Sequence, residues 1–131
     1  NKYLYGKSIV NYQSFEKATC IINSEELLVK SGENKFEFTF TNTYDKNITF
    51  DNIRFIGVFQ APKKGIIAKV PLQTTDITAL KAFENKLIEA TFISPNLPED
   101  EELTFRVAIE FYNLLEGYQG NKVPVVQIDN N

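Results

Sequence analysis

"KFEFTFTN", residues 35–42, decides the fold. Phe36, Phe38 and Phe40 fall on one side of an extended chain, and Glu37, Thr39 and Thr41 on the other. Strict alternation of this kind marks a half-buried strand, and aromatic and β-branched residues favour that state. Turn-forming chemistry brackets it, with "SGEN" (31–34) before and "TYDKN" (43–47) after. A second stretch, "LTFRVAIEFYNLL" (103–115), alternates in the same way. Leu103, Phe105, Val107, Ile109 and Phe111 point inward, and Thr104, Arg106, Ala108, Glu110 and Tyr112 outward. Two strands with bulky apolar faces call for two sheets packed on each other.

Working outward, strand-like patches recur. They are "KSIVNY" (7–12), then "FEKATCIIN" (15–23) and "EELLVK" (25–30) read as one kinked edge element. "ITFDNIRFIGVF" (48–59) reads as one long strand bulged at Asp51 and Asn52. "IIAKVPL" (66–72), "LIEATFIS" (87–94) and "KVPVVQI" (122–128) complete the set. Pro71 suits an edge strand. The crossover "QTTDITALKAFENK" (73–86) breaks the rhythm. It reads either as a short helix capped by Thr75 or Asp76 or as an irregular connection. Seven to nine strands with no long helices exclude a parallel α/β sheet. They predict one domain over residues 1–131, an all-β antiparallel sandwich of immunoglobulin type, with a jelly roll or closed barrel as the second choice.

The totals bound the chemistry. A chain of 131 residues can hold a core unaided, since chains of this size bury roughly two thirds of their unfolded surface. Net charge is −3, with no basic stripe of the kind a phosphate backbone requires, so nucleic acid is not an expected partner. There is no His and a single Cys, Cys20. That removes the commonest general base and metal ligand, an internal disulfide and a cysteine-based zinc site. No metal and no cofactor are implied, and the chain is expected not to be an enzyme. Cys20 reads as a buried, inert thiol. No apolar run approaches the roughly 18 residues of a membrane helix. The sequence contains no Met, even at position 1, which raises the expectation of a targeting or membrane segment ahead of Asn1.

"PEDEE", ending at Glu102, is the densest carboxylate cluster. It lacks the spacing of a calcium loop and reads as a solvated turn that guards the following strand from aggregation. Asn47-Ile48-Thr49 is the N-x-[ST] sequon, which makes Asn47 a candidate glycosylation site. "QAPKKG" (60–65) reads as a soluble loop.

One stretch breaks the half-buried pattern. In "NIRFIGVF" (52–59), Ile53, Phe55, Gly57 and Phe59 share one face, and Arg54, Ile56 and Val58 share the other. Both faces are apolar, so the second must be covered. Two covers present themselves. The crossover could lie over it with Ile77, Leu80 and Phe83, or a partner or second copy could do so. The candidate interface is Arg54, Ile56 and Val58, extended by Ala108 and Tyr112 if the two strands pair.

"VKSGENKFEFTFTNTYDKNITFDNIRF" (29–55) resembles the middle of extracytoplasmic immunoglobulin-like domains. "LPEDEELTFRVAIEF" (97–111) is similar to the approach to strand F in fibronectin-type modules. With its size, the chain resembles the soluble β-sandwich of archaellum stator proteins. That resemblance implies a non-enzymatic interaction or scaffold domain at the cell surface. The membrane would be met only through a preceding segment, and the partner would be a surface-layer or appendage protein, with a homodimer as a further expectation. The alternative is a carbohydrate-binding or accessory module of a secreted hydrolase. It would use Tyr3, Tyr5, Tyr112 and Tyr118, although the absence of Trp argues against a sugar platform.

The core reading has a direct consequence. Phe38→Ala should cost about 3–5 kcal/mol in a denaturant titration. A change below about 0.5 kcal/mol would place Phe38 at the surface.

Overall fold

The computed structural model describes residues 18–24, 26–43, 45–49, 53–111, 114–116 and 123–128. The first patch of the chain, residues 7–12, lies outside them. The described strands are β1 (Ala18–Ile22), β2 (Leu27–Lys30), β3 (Glu33–Asn42), β4 (Ile48–Thr49), β5 (Ile53–Ala61), β6 (Gly65–Pro71), β7 (Gln73–Thr74), β8 (Ala79–Leu80), β9 (Asn85–Ile93), β10 (Leu103–Phe111), β11 (Leu114–Glu116) and β12 (Val123–Ile128).

One sheet runs β1-β3-β9-β7. The other runs β2-β12-β10-β5-β6, with β11 folded back on β10, and β4 pairs separately with β8. The first order matches A-B-E-D of an immunoglobulin sandwich, and β12-β10-β5 matches G-F-C. The fold is the all-β sandwich that the alternation predicts.

The segment read as one kinked edge element is two strands in different sheets. β1 pairs antiparallel with β3, whereas β2 crosses over and pairs parallel with β12. The second sheet is therefore not purely antiparallel. Residues 48–59 are likewise not one strand, because Ile48 pairs with Leu80 in the small sheet and the ladder of β5 begins at Ile53. The register shift along β5 falls between Phe59 and Gln60, opposite β6, whereas Asp51 and Asn52 lie outside the described residues.

The core is made by phenylalanine. Phe38, Phe40, Phe59, Phe105, Val107 and Ile109 have no exposed surface, and Phe36 packs half-buried against them. Rings from opposite sheets meet edge to face, Phe36 with Phe105 at 5.3 Å, Phe38 with Phe55 at 5.1 Å and Phe40 with Phe55 at 5.3 Å. Such geometry sets the positive ring edge against the negative face.

The crossover contains no helix. Thr74, Thr75, Ile77 and Thr78 are β-branched, which disfavours helix and suits extended chain. Ile77 and Leu80 are buried in the main core cluster. Two asparagines fasten the turn that follows. Asn42, fully buried at the end of β3, donates from Nδ2 to the Lys46 and Lys81 carbonyls, each at 2.9 Å. Its main-chain N–H donates to the Glu84 carbonyl at 2.9 Å. Asn47 accepts at Oδ1 from the Ala82 N–H at 3.0 Å. A third, Asn34, locks the β2–β3 turn. It bonds the Lys30 N–H and carbonyl, both at 2.9 Å, and the Gly32 carbonyl at 3.1 Å.

Gly57 lies on the core face of β5, where a Cβ would sit 2.6 Å from Phe105 Cε1 and 3.2 Å from Val70 Cγ2. The missing side chain is the space that the Phe105 ring occupies. Gly57→Ala should therefore destabilise the fold by about 1–3 kcal/mol through overpacking, seen as a lower denaturation midpoint. An unchanged or raised midpoint would contradict this packing.

Candidate interaction surface

The outer face of the five-stranded path is where the expected interface falls. β5 pairs with β10 in the register Ile56–Ala108, Val58–Arg106 and Arg54–Glu110, so four of the five expected positions are neighbours. Tyr112 lies outside the described residues. The exposures separate the four. Arg54 is exposed and Ile56 half-buried, but Val58 and Ala108 retain only 2% and 1% of their surface. Two of the positions expected to be bare are thus covered within the chain.

The crossover is not their cover, because Ile77 and Leu80 enter the sandwich core and Phe83 stands 64% exposed. Arg106 and Lys69 flank Val58 on either side. Arg106 is half-buried, and its Nε is out of solvent with no hydrogen-bond partner among the described residues. Long basic side chains can lay their stems over apolar neighbours while the charged end stays wet.

The apolar surface that does remain on this face lies toward its margins. Leu28 of β2 and Val126 of β12 are direct partners in the parallel ladder and are 53% and 38% exposed. Ile66, on edge strand β6, is also exposed. Val126 opens onto a cleft of about 640 Å³ that also includes Glu26, Asp100, Glu102 and Pro124. The acidic loop forms much of its wall, and Glu101 pairs with Lys64 at 3.3 Å. Among the described residues, no group of three His, Cys, Asp or Glu side chains is placed to hold a metal ion.

Leu28 and Val126 escaped the sequence reading, although a signal was present. "LLV" (27–29) and "VPVV" (123–126) are continuous apolar runs, the same departure from alternation that drew attention to "IRFIGVF". Asn47 is exposed, as a modification site must be, and the tyrosines of the carbohydrate reading all lie outside the described residues.

No protein-family model matches the sequence, and comparison with curated proteins gives no match. Solved structures do match. The alkylpurine DNA glycosylase AlkC of Pseudomonas fluorescens, bound to DNA containing an abasic site analog, is similar over 92% of this chain at 11% identity and a TM-score of 0.54. The chain spans 33% of that protein, and the likeness is one of fold alone. A CARDB domain from Pyrococcus furiosus is similar over 86% of this chain and 94% of its own, at 9% identity and a TM-score of 0.46. A chain of the chaperone–tip adhesion subunit complex of Acinetobacter baumannii Csu pili is similar over 85% of this chain and 57% of its own, at 16% identity and 0.43.

The burial of Val58 makes a discriminating test. Val58→Arg should cost several kcal/mol of stability, because it places a second charge beside Arg106 where water is excluded. Val126→Arg should change stability by less than about 0.5 kcal/mol, as an exposed site does. Equal, small effects at both positions would contradict the covered face.

Proposed function

We propose that this chain is a non-enzymatic interaction or scaffold domain working outside the cytoplasm. It makes contact through the outer face of the five-stranded path, at the strip formed by β2 and β12. The observation that carries the reading is the Leu28–Val126 pair, two large aliphatics directly opposite each other and both open to water. Covering what remains exposed of each aliphatic would gain on the order of 1 kcal/mol, and contiguous exposed apolar surface marks contact sites. The simplest occupant is a second copy, joined about a two-fold axis so that like strips meet. A stator-type role, tethered ahead of Asn1 and engaging a surface or appendage protein, is the finer form of the proposal. Its support is the resemblance of residues 29–55 and 97–111 to extracytoplasmic immunoglobulin-like modules.

Sedimentation equilibrium tests the contact. The chain should associate reversibly as concentration rises, and Val126→Arg should remain a monomer with unaltered thermal stability. A wild-type chain that stays monomeric at high concentration, or a Val126→Arg variant that associates equally well, would refute contact through this strip.

A further inference from the structure

Phe83 is an anomaly in a chain that buries its other described phenylalanine rings wholly or in large part wherever their exposure is given. It is 64% exposed, and it holds a φ of 59°, the one positive φ among the described non-glycine residues. That backbone region is uncommon for any residue with a Cβ and is an outlier for a bulky one. Glycine would adopt it without strain. The turn therefore keeps an aromatic ring in water where a smaller residue would fit better.

The turn that carries Phe83 is tied to the sequon through the residue before it. Asn47 accepts at Oδ1 from the Ala82 N–H at 3.0 Å, and Ala82 immediately precedes Phe83. The bond occupies the amide oxygen and fixes the side chain beside the turn. The reacting atom of glycosylation is the other one, Nδ2. Ile48 is buried between two exposed positions, Asn47 and Thr49, so both sequon side chains face outward from the short strand.

We infer that Asn47 is N-glycosylated and that Phe83 is the platform on which the attached sugar rests. This rests on the proposed extracytoplasmic location. In the reaction, Nδ2 loses a proton to solvent and bonds to the anomeric carbon of a lipid-linked oligosaccharide. The anomeric carbon–oxygen bond breaks, and the lipid phosphate leaves with the electron pair. The carbonyl keeps its hydrogen bond to Ala82, so the turn persists after modification. The apolar face of the first sugar then covers the ring, as flat aromatic surfaces favour, and the exposure of Phe83 is relieved by a ligand the chain itself carries.

Secretion from a eukaryotic host, compared with cytoplasmic bacterial production, tests both halves. Intact mass should rise by one glycan in the secreted chain. The rise should vanish in Thr49→Ala, which leaves the Asn47–Ala82 bond in place. The glycan should raise Tm by a few degrees in the wild-type chain and leave Phe83→Gly unmoved, although Phe83→Gly without glycan should be at least as stable as the wild type. A folded, secreted chain without added mass would overturn the modification. A glycan that raised Tm equally in Phe83→Gly would overturn the platform. Neither result bears on the Leu28–Val126 contact, which is measured on unglycosylated protein.

Discussion

The contact between phenylalanine rings of opposing sheets is the interaction on which the sandwich depends. Phe36, Phe38 and Phe40 from β3 and Phe92 from β9 meet Phe55 and Phe59 from β5 and Phe105 from β10. Each ring removes a large apolar area from water, and the edge-on and stacked contacts add specificity to the burial. The same rings impose the need for Gly57, since Phe105 takes the volume its side chain would fill. They also draw Ile77 and Leu80 inward. The crossover is consequently part of the core and unavailable to cover the outer face of β5.

That outer face illustrates how apolar residues are managed on a sheet with one solvated side. At its centre Val58 is buried, with Arg106 and Lys69 as its partners across the two ladders. Toward its margin, the parallel pairing of β2 with β12 sets Leu28 against Val126, and both stay open to water. Parallel pairing arises because the chain crosses from one sheet to the other between β1 and β2. The exposed pair is thus a consequence of topology, and the acidic cleft beside it gives that margin a strongly negative rim.

Much of the architecture was legible because alternation is a local property. "KFEFTFTN" and "LTFRVAIEF" displayed their inward faces without reference to the rest of the chain, and the structure buries Phe38, Phe40, Phe105, Val107 and Ile109 completely. The change of sheet between β1 and β2 was not legible, because partner choice depends on residues far away in sequence. The helix considered for the crossover was overruled by β-branched residues and by the tertiary pull on Ile77 and Leu80. At the surface, β5 does pair with β10, the condition on which Ala108 was to join Ile56, and the two are direct partners. The burial of Val58 and Ala108 was hidden, because it depends on neighbours that the fold brings in and not on the alternation of their own strands.

Hydrogen–deuterium exchange at low and high protein concentration tests the central claim most directly, namely that the β2–β12 strip is a contact surface. The account predicts that amides of Leu27–Lys30 and of the Val123–Ile128 strand gain protection as concentration rises, while β3 and β9 do not change. Protection that is independent of concentration, or that increases on β3 and β9 instead, would contradict it.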